Sequence, residues 1–205
     1  TLGESQARIL REEYWRSVEA TVAVPLAGRI LVDKMPLHTV ALPLIARLFP
    51  DAKVLFALRA PRDVVLSCFR RRFQVNAAMF EFLTLEGTAR YYDAVMGLAR
   101  SYRERLPLRF LEVRHEAMVA GLEGEARRVL EFIGADWNPA VLDFADRARS
   151  RLVTPSDPQL ARGLSSEGVG QWRRYEASLR PVLGVLEPWV TRYGYSAADG
   201  AAGPR

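Results

Sequence analysis

The stretch KVLFALRAPRDVVLSCFRR, residues 53–71, decides the fold. Its first seven residues are a nearly continuous apolar run closed by Arg59, the pattern of a strand buried on both faces of a sheet. Pro61 then supplies a good first-turn residue, and the periodicity predicts a helix from Pro61 to about Phe73. An arginine at such a strand-to-helix turn has two readings. It is a solvated connection in which Arg59 pairs with Asp63, or it holds an anion with help from the positive end of the helix. Ser67, about one and a half turns into the helix, is spaced so that its hydroxyl and the Arg59 guanidinium can share one phosphate.

Working outward, strands continue to alternate with helices. Residues 4–20 place Ile9, Leu10, Tyr14, Trp15 and Val18 near a 3.6 period, which predicts an amphipathic helix. RILVDK (29–34) reads as a short strand. A helix is expected over 38–49, with Thr39 as its cap and Pro43 in its first turns. Residues 84–105 read as a long helix with Leu85, Tyr91, Tyr92, Val95, Leu98 and Tyr102 inward. LRFLEVR (108–114) reads as a third strand. Short helices follow at 116–120, 123–134 and 139–147. From 148 to 170 the pattern dissolves into Ser, Pro, Gly and Arg, a long loop of the kind that carries function. The final helical region is expected to break near Pro181 and Pro188, and the last ten residues, 196–205, read as a disordered tail. The alternation predicts an α/β fold with a parallel sheet. Three strands are few for such a sheet. With a chain that opens directly on a helix body, this suggests an N-terminal strand lying upstream. One domain over 1–195 is expected.

Composition narrows the function. The 205 residues are 49% hydrophobic and 26% charged, with a net charge of +5. Lys34 and Lys53 are the only lysines; arginine supplies the rest of the positive charge, as GC-rich coding also would. The basic residues are interleaved with acids, the pattern of solvated helix faces, and no zinc-ligand set or aromatic-basic motif suggests nucleic acid. The single cysteine, Cys68, permits no internal disulfide and suits a reducing compartment, so a cytoplasmic protein is expected. It reads as a small core residue. No apolar run is long enough to span a membrane.

In open parallel sheets ligands bind at the carboxyl ends of strands. Three segments bring polar groups there: Asp33 to Pro36, Arg59 to Ser67, and RGLSSEGVGQWRR (162–174), which is placed to fold over the same edge. In the last, Gly163, Gly168 and Gly170 beside Ser165 and Ser166 form a loop whose amides can turn inward on an anion. Trp172 and Tyr175 read first as core anchors.

Together, VDKMP (32–36), RAPRDVVLSCF (59–69), LEVRHEAMV (111–119) and SSEGVGQWRRYE (165–176) resemble the sulfotransferases that use 3′-phosphoadenosine 5′-phosphosulfate, PAPS. The likeness is to the bacterial group often fused to tetratricopeptide repeats, and it runs over about residues 5–195. It implies a P-loop-like, three-layer α/β fold and a sulfuryl transfer from PAPS to a hydroxyl or amine, leaving adenosine 3′,5′-bisphosphate, with no metal. It also implies that Arg59 and Ser67 grip the 3′-phosphate, that His115 lies near the adenine, and that Ser165, Ser166, Gly168, Gly170 and Trp172 belong to the late cofactor-binding segment. Lys34 matches the lysine of DKMP-type motifs and is the candidate cation for charge growing on the leaving oxygen. His38 is the candidate base.

The sequence also departs from that family. Its 5′-phosphosulfate loop is absent; in the family it lies upstream of where this sequence begins, as does a proposed catalytic glutamate. His115 replaces a usual tyrosine, His38 a frequent asparagine, and Pro36 stands where the classical cytosolic enzymes carry a histidine. Three alternatives stay open: a non-catalytic nucleotide-binding fragment, a kinase-like nucleotide enzyme (against which no Gly-x-x-x-x-Gly-Lys-Ser/Thr occurs), and a basic nucleic-acid binder. The acceptor is open among peptide, carbohydrate, lipid and small phenol, with Phe73, Phe80 and Phe82 as candidate lining residues. An upstream tetratricopeptide segment is a candidate partner.

Overall fold

The computed structural model describes residues 2–22, 24–71, 73, 76, 78–146 and 163–196. The chain divides into two compact units, Thr1–Val54 with Val95–Phe110, and Leu55–Ala94 with Leu111–Arg205. It is an α/β protein, mostly helical, with a small parallel sheet of two described strands, β1 (Lys53–Leu58) and β2 (Arg109–Arg114).

In the first unit, α1 (Glu4–Thr21) packs on α2 (Leu42–Leu48). Ala7, fully buried, lets the helices approach, and the rings of Tyr14 and Trp15 meet Phe49 edge-on at 5.0 and 6.1 Å. Arg11 Nε donates to the Leu48 carbonyl at 2.6 Å, satisfying one of the acceptors that a helix C-terminus leaves open. The helix expected over 38–49 starts as a 3-10 turn, Pro36–Ala41, and only then becomes α2. Thr39 does not cap it. Ala41 holds the N-cap position without a side-chain bond, because Pro43 in the first turn already lacks the amide that a cap would serve.

The strand expected at 29–34 is not formed, and these residues adopt no regular structure. Ile30 and Val32 are 51% and 65% exposed. An alternating pattern assigns faces, but a strand also needs a neighbour to complete its hydrogen-bond ladder, and no described residue supplies one. β1 differs from expectation as well. Phe56 and Leu58 are buried while Lys53, Leu55 and Ala57 are exposed, so one face alone is covered.

The second unit is built on α3 (Pro61–Arg70) packed against α7 (Glu176–Arg192). Its core joins Val65 and Leu66 of α3, Ala89 of α4 (Leu85–Arg105), Trp172, and Leu179, Val182 and Leu186 of α7. Full burial of each large aliphatic side chain is worth about 1.5–3 kcal/mol. That scale explains a further correction: α7 runs unbroken through Pro181 and Pro188. A proline inside a helix costs about 3 kcal/mol, and five buried side chains (Leu179, Val182, Leu186, Trp189, Val190) offset the two.

On α4 the buried positions are Gly87, Thr88, Ala89, Met96 and Ala99, while Leu98 is exposed. After β2 come α5 (His115–Ala120) and α6 (Leu122–Ile133), the latter ended by Gly134 at φ 85, a left-handed C-cap that glycine adopts without strain. The helix expected at 139–147 is a 3-10 turn over Pro139–Asp143 followed by one short helical stretch to 146. Most of the 148–170 loop, and the expected tail from 197 onward, lie outside the described residues.

Candidate functional site

The turn between β1 and α3 is where the polar groups converge. Arg59 leaves the end of β1, and its Nη2 donates to the carbonyl of Gly168. Its Nε is buried and has no hydrogen-bond partner among the described residues. Gly168 is close enough that a Cβ there would lie 2.8 Å from Arg59 Nη2, so any larger residue would push the guanidinium aside.

Asp63, two residues after Pro61, is 1% exposed. Its Oδ2 accepts from the Gly170 amide at 2.7 Å and its Oδ1 from the Trp172 amide at 2.8 Å. Burial pushes its carboxyl pKa up; the two amide bonds and the nearby Arg59 charge pull against that rise. Asp63 is therefore a clamp on the late segment rather than part of a surface ion pair, and the segment does fold over the β1 edge.

Glu116, next to His115 at the start of α5, closes the other side. Its Oε1 accepts from the Ala60 amide at 2.9 Å, serving the N-cap position of α3, and its Oε2 accepts from the Tyr195 hydroxyl at 3.0 Å. Desolvation lowers the His115 pKa, and the Arg59 charge lowers it further. Arg114 Nη1 reaches the Tyr193 carbonyl at 2.7 Å.

The other expected residues fall as follows. Ser67 is half-buried on α3. Ser165 is exposed and its Oγ accepts from the Glu167 amide at 3.1 Å, capping the 3-10 turn Ser166–Gly168; Ser166 is exposed. Gly170 has φ 68, and its amide is spent on Asp63 instead of facing a ligand. The Trp172 ring is part of the core, with the Arg62 guanidinium 4.4 Å above it, and Arg62 Nη2 also reaches Glu187 at 2.7 Å. Cys68 is half-buried, its thiol pKa raised by burial. Phe73 and Phe82 have ring centroids 5.4 Å apart, while Phe80 is 63% exposed.

Lys34 and His38 belong to the first unit. Lys34 is exposed. Asp33 turns its carboxylate to His38, with Oδ1 3.7 Å from Nδ1, and its Oδ2 accepts from the Tyr14 hydroxyl at 3.1 Å. No ion pair joins Asp33 to Lys34 among the described residues. Burial, then that hydrogen bond and the Asp33 charge, raise the Tyr14 pKa.

Sequence reasoning passed over the roles of Asp63 and Glu116. Both stand inside the quoted motif blocks, Asp63 in the first turn of α3 and Glu116 beside His115. A carboxylate near a helix start was the available signal, but its partners lie 107 and 109 residues away for Asp63 and 56 and 79 away for Glu116.

A model of the sulfotransferase family matches residues 2–139. The chain is a member of the sulfotransferase family. An uncharacterized protein of Aquifex aeolicus (strain VF5) is 27% identical over 158 residues, which is 77% of this chain and 21% of that protein. A protein-tyrosine sulfotransferase of Drosophila melanogaster is 25% identical over 186 residues, 82% of this chain and 37% of the relative. Protein-tyrosine sulfotransferase 1 of Danio rerio is 24% identical over 172 residues, 80% of this chain and 48% of the relative. This sulfotransferase-family chain thus spans between about a fifth and about half of the length of these relatives. The matched span of the family model holds Lys34, His38, Arg59, Ser67 and His115, and ends before the 163–176 segment. Among the described residues no helix is long and apolar enough to cross a membrane, and no group of three His, Cys, Asp or Glu residues is arranged to hold a metal ion.

Proposed function

We propose that this chain binds PAPS and serves transfer of its sulfuryl group to a hydroxyl or amine acceptor, releasing adenosine 3′,5′-bisphosphate. The observation that carries the reading is Arg59. Its guanidinium stands at the carboxyl end of β1, one nitrogen on the Gly168 carbonyl and Nε buried without a partner among the described residues. A buried, charged donor left unsatisfied is costly, and an anionic oxygen is a fitting partner for it. Family membership and the likeness to the protein-tyrosine sulfotransferases of fly and zebrafish support sulfuryl transfer as the chemistry. The finer fold reading belongs to the same proposal: a P-loop-like, three-layer arrangement of which the two described strands are part.

The donor supplies an activated sulfuryl group, displaced in line from phosphate by the acceptor atom. The residues of this chain then have these roles. Arg59 and Ser67 bind the 3′-phosphate. His115 lies toward the adenine side. Ser165 and Ser166 offer exposed hydroxyls at the late segment. Lys34 stabilises negative charge on the leaving oxygen, a role fixed cations fill in related transfers. His38, with Asp33 facing its Nδ1, takes the acceptor's proton. A tyrosine side chain of a peptide is the acceptor favoured by the names of the relatives. Charge neutralisation is assigned to protein cations, without a metal step, and the cytoplasm is the proposed location.

The test is nucleotide discrimination in the full-length protein. Arg59→Ala is expected to weaken binding of adenosine 3′,5′-bisphosphate by roughly 100-fold and of adenosine 5′-monophosphate by far less, the loss of a charge-assisted pair. Equal losses for both nucleotides would refute the assignment, and tighter binding of ATP than of PAPS would favour the kinase-like reading.

A further inference from the structure

We infer that Asp63 is a positioning residue for Arg59: it holds the 168–172 segment, and the Gly168 carbonyl at the head of that segment sets the guanidinium. This rests on the nucleotide reading above.

The chain of contacts is short and each link is buried or half-buried. A carboxylate in the first turn of a helix is electrostatically at home there. Asp63 nevertheless spends both oxygens on the Gly170 and Trp172 amides, 107 and 109 residues away in sequence. Trp172 is locked in the core beside Val65 and Leu66, so the segment is pinned at that end by packing as well. At the other end the Gly168 carbonyl accepts from Arg59 Nη2. The left-handed turn at Gly170 joins the two ends, and Val169 donates its amide to the Ser166 carbonyl at 2.8 Å, which keeps the 3-10 turn closed. Moving the Asp63 oxygens therefore moves the carbonyl that orients the arginine. Arg59 and Asp63 sit four residues apart, yet they are coupled through a segment a hundred residues downstream rather than by a direct ion pair among the described contacts.

Glycine at 168 is a second handle on the same device. Its backbone φ lies outside the left-handed range, so alanine is conformationally allowed, and the guanidinium of Arg59 is what its Cβ would meet. Gly168→Ala thus displaces the arginine directly without touching Asp63.

The experiment measures, in the full-length protein, the ratio of dissociation constants for adenosine 5′-monophosphate and adenosine 3′,5′-bisphosphate, together with the thermal unfolding midpoint. Asp63→Asn replaces one accepting oxygen by a donor that faces an amide donor. The ratio is expected to fall about tenfold or more, and Gly168→Ala is expected to lower it similarly. A residue that merely supports the fold would lower the unfolding midpoint and leave the ratio at its wild-type value. That result in a folded Asp63→Asn protein overturns the inference. If Asp63→Asn does not fold, an unchanged ratio in Gly168→Ala overturns it instead. A wild-type protein that fails to discriminate between the two nucleotides would sink the nucleotide reading itself, which is a different outcome.

Discussion

Asp63 Oδ1 accepts a hydrogen bond at 2.8 Å from the amide of Trp172, 109 residues further along the chain. The bond ties the first turn of α3 to the turn that feeds α7, and the chain can make that turn only because Gly170 sits at φ 68. A Cβ in the left-handed region costs about 1–2 kcal/mol. Gly170→Ala is therefore expected to lower the stability of the protein by that amount, read from its urea unfolding midpoint. Gly170→Asn should lose less, since asparagine tolerates this region. An alanine variant as stable as wild type would contradict the left-handed turn.

Leu186 of α7 is fully buried in the second unit's core, whereas Leu98 of α4 is 38% exposed. Leu186→Ala should cost about 2–5 kcal/mol, as large-to-small changes in a close-packed core do. Leu98→Ala should fall within about 0.5 kcal/mol of wild type, as exposed substitutions do. Urea denaturation of both variants decides; comparable losses would mean that the inward face of α4 is assigned wrongly.

That contrast also marks what the sequence could and could not carry. The helix around Val65 and Leu66, the strand before it and the turn at Arg59 are local consequences of an apolar run, a proline and a 3.6 period, and they are legible. The face of α4 is less so. A helix with Tyr91, Tyr92, Val95 and Leu98 offers several apolar arcs, and the neighbours choose the one running through Ala89, Met96 and Ala99. Residues 29–34 show the converse case. Their pattern fits a strand, but pairing is a property of two segments, and no described segment pairs with them. At the site, motif spacing led to Arg59 and to the late glycine segment. It did not reveal that Asp63 and Glu116 hold these pieces together, because a buried carboxylate and its amide partners leave no mark on local periodicity.

Lys34 is exposed and adjacent to an aspartate whose oxygens face His38 and Tyr14, so its ammonium is not drawn into an ion pair with that neighbour. If it stabilises the leaving oxygen, Lys34→Ala in the full-length protein should reduce turnover by about 100-fold or more with little change in nucleotide affinity. Steady-state kinetics alongside calorimetric binding separate the two. Turnover within a few-fold of wild type would remove Lys34 from the mechanism.

His115 offers a test by proton count. Desolvation first, then the Arg59 charge, hold its pKa below the ordinary imidazole value, while Glu116 and Asp63 oppose that shift. The folded state therefore binds this proton more weakly than the unfolded state. Its contribution to stability rises with pH between the lowered value and the ordinary one, and falls on acidification through the same range. An anion bound at Arg59 offsets the positive charge that disfavours the imidazolium, so binding should draw a proton onto His115. At about pH 6, where imidazoles titrate, the observed enthalpy of adenosine 3′,5′-bisphosphate binding should vary with the ionisation enthalpy of the buffer in the direction of proton uptake. The dependence should shrink in His115→Gln and be weaker for adenosine 5′-monophosphate. Because the ligand's own phosphates also titrate near pH 6, the difference between wild type and His115→Gln is the readout, and the same buffer dependence in both would separate His115 from the phosphate site.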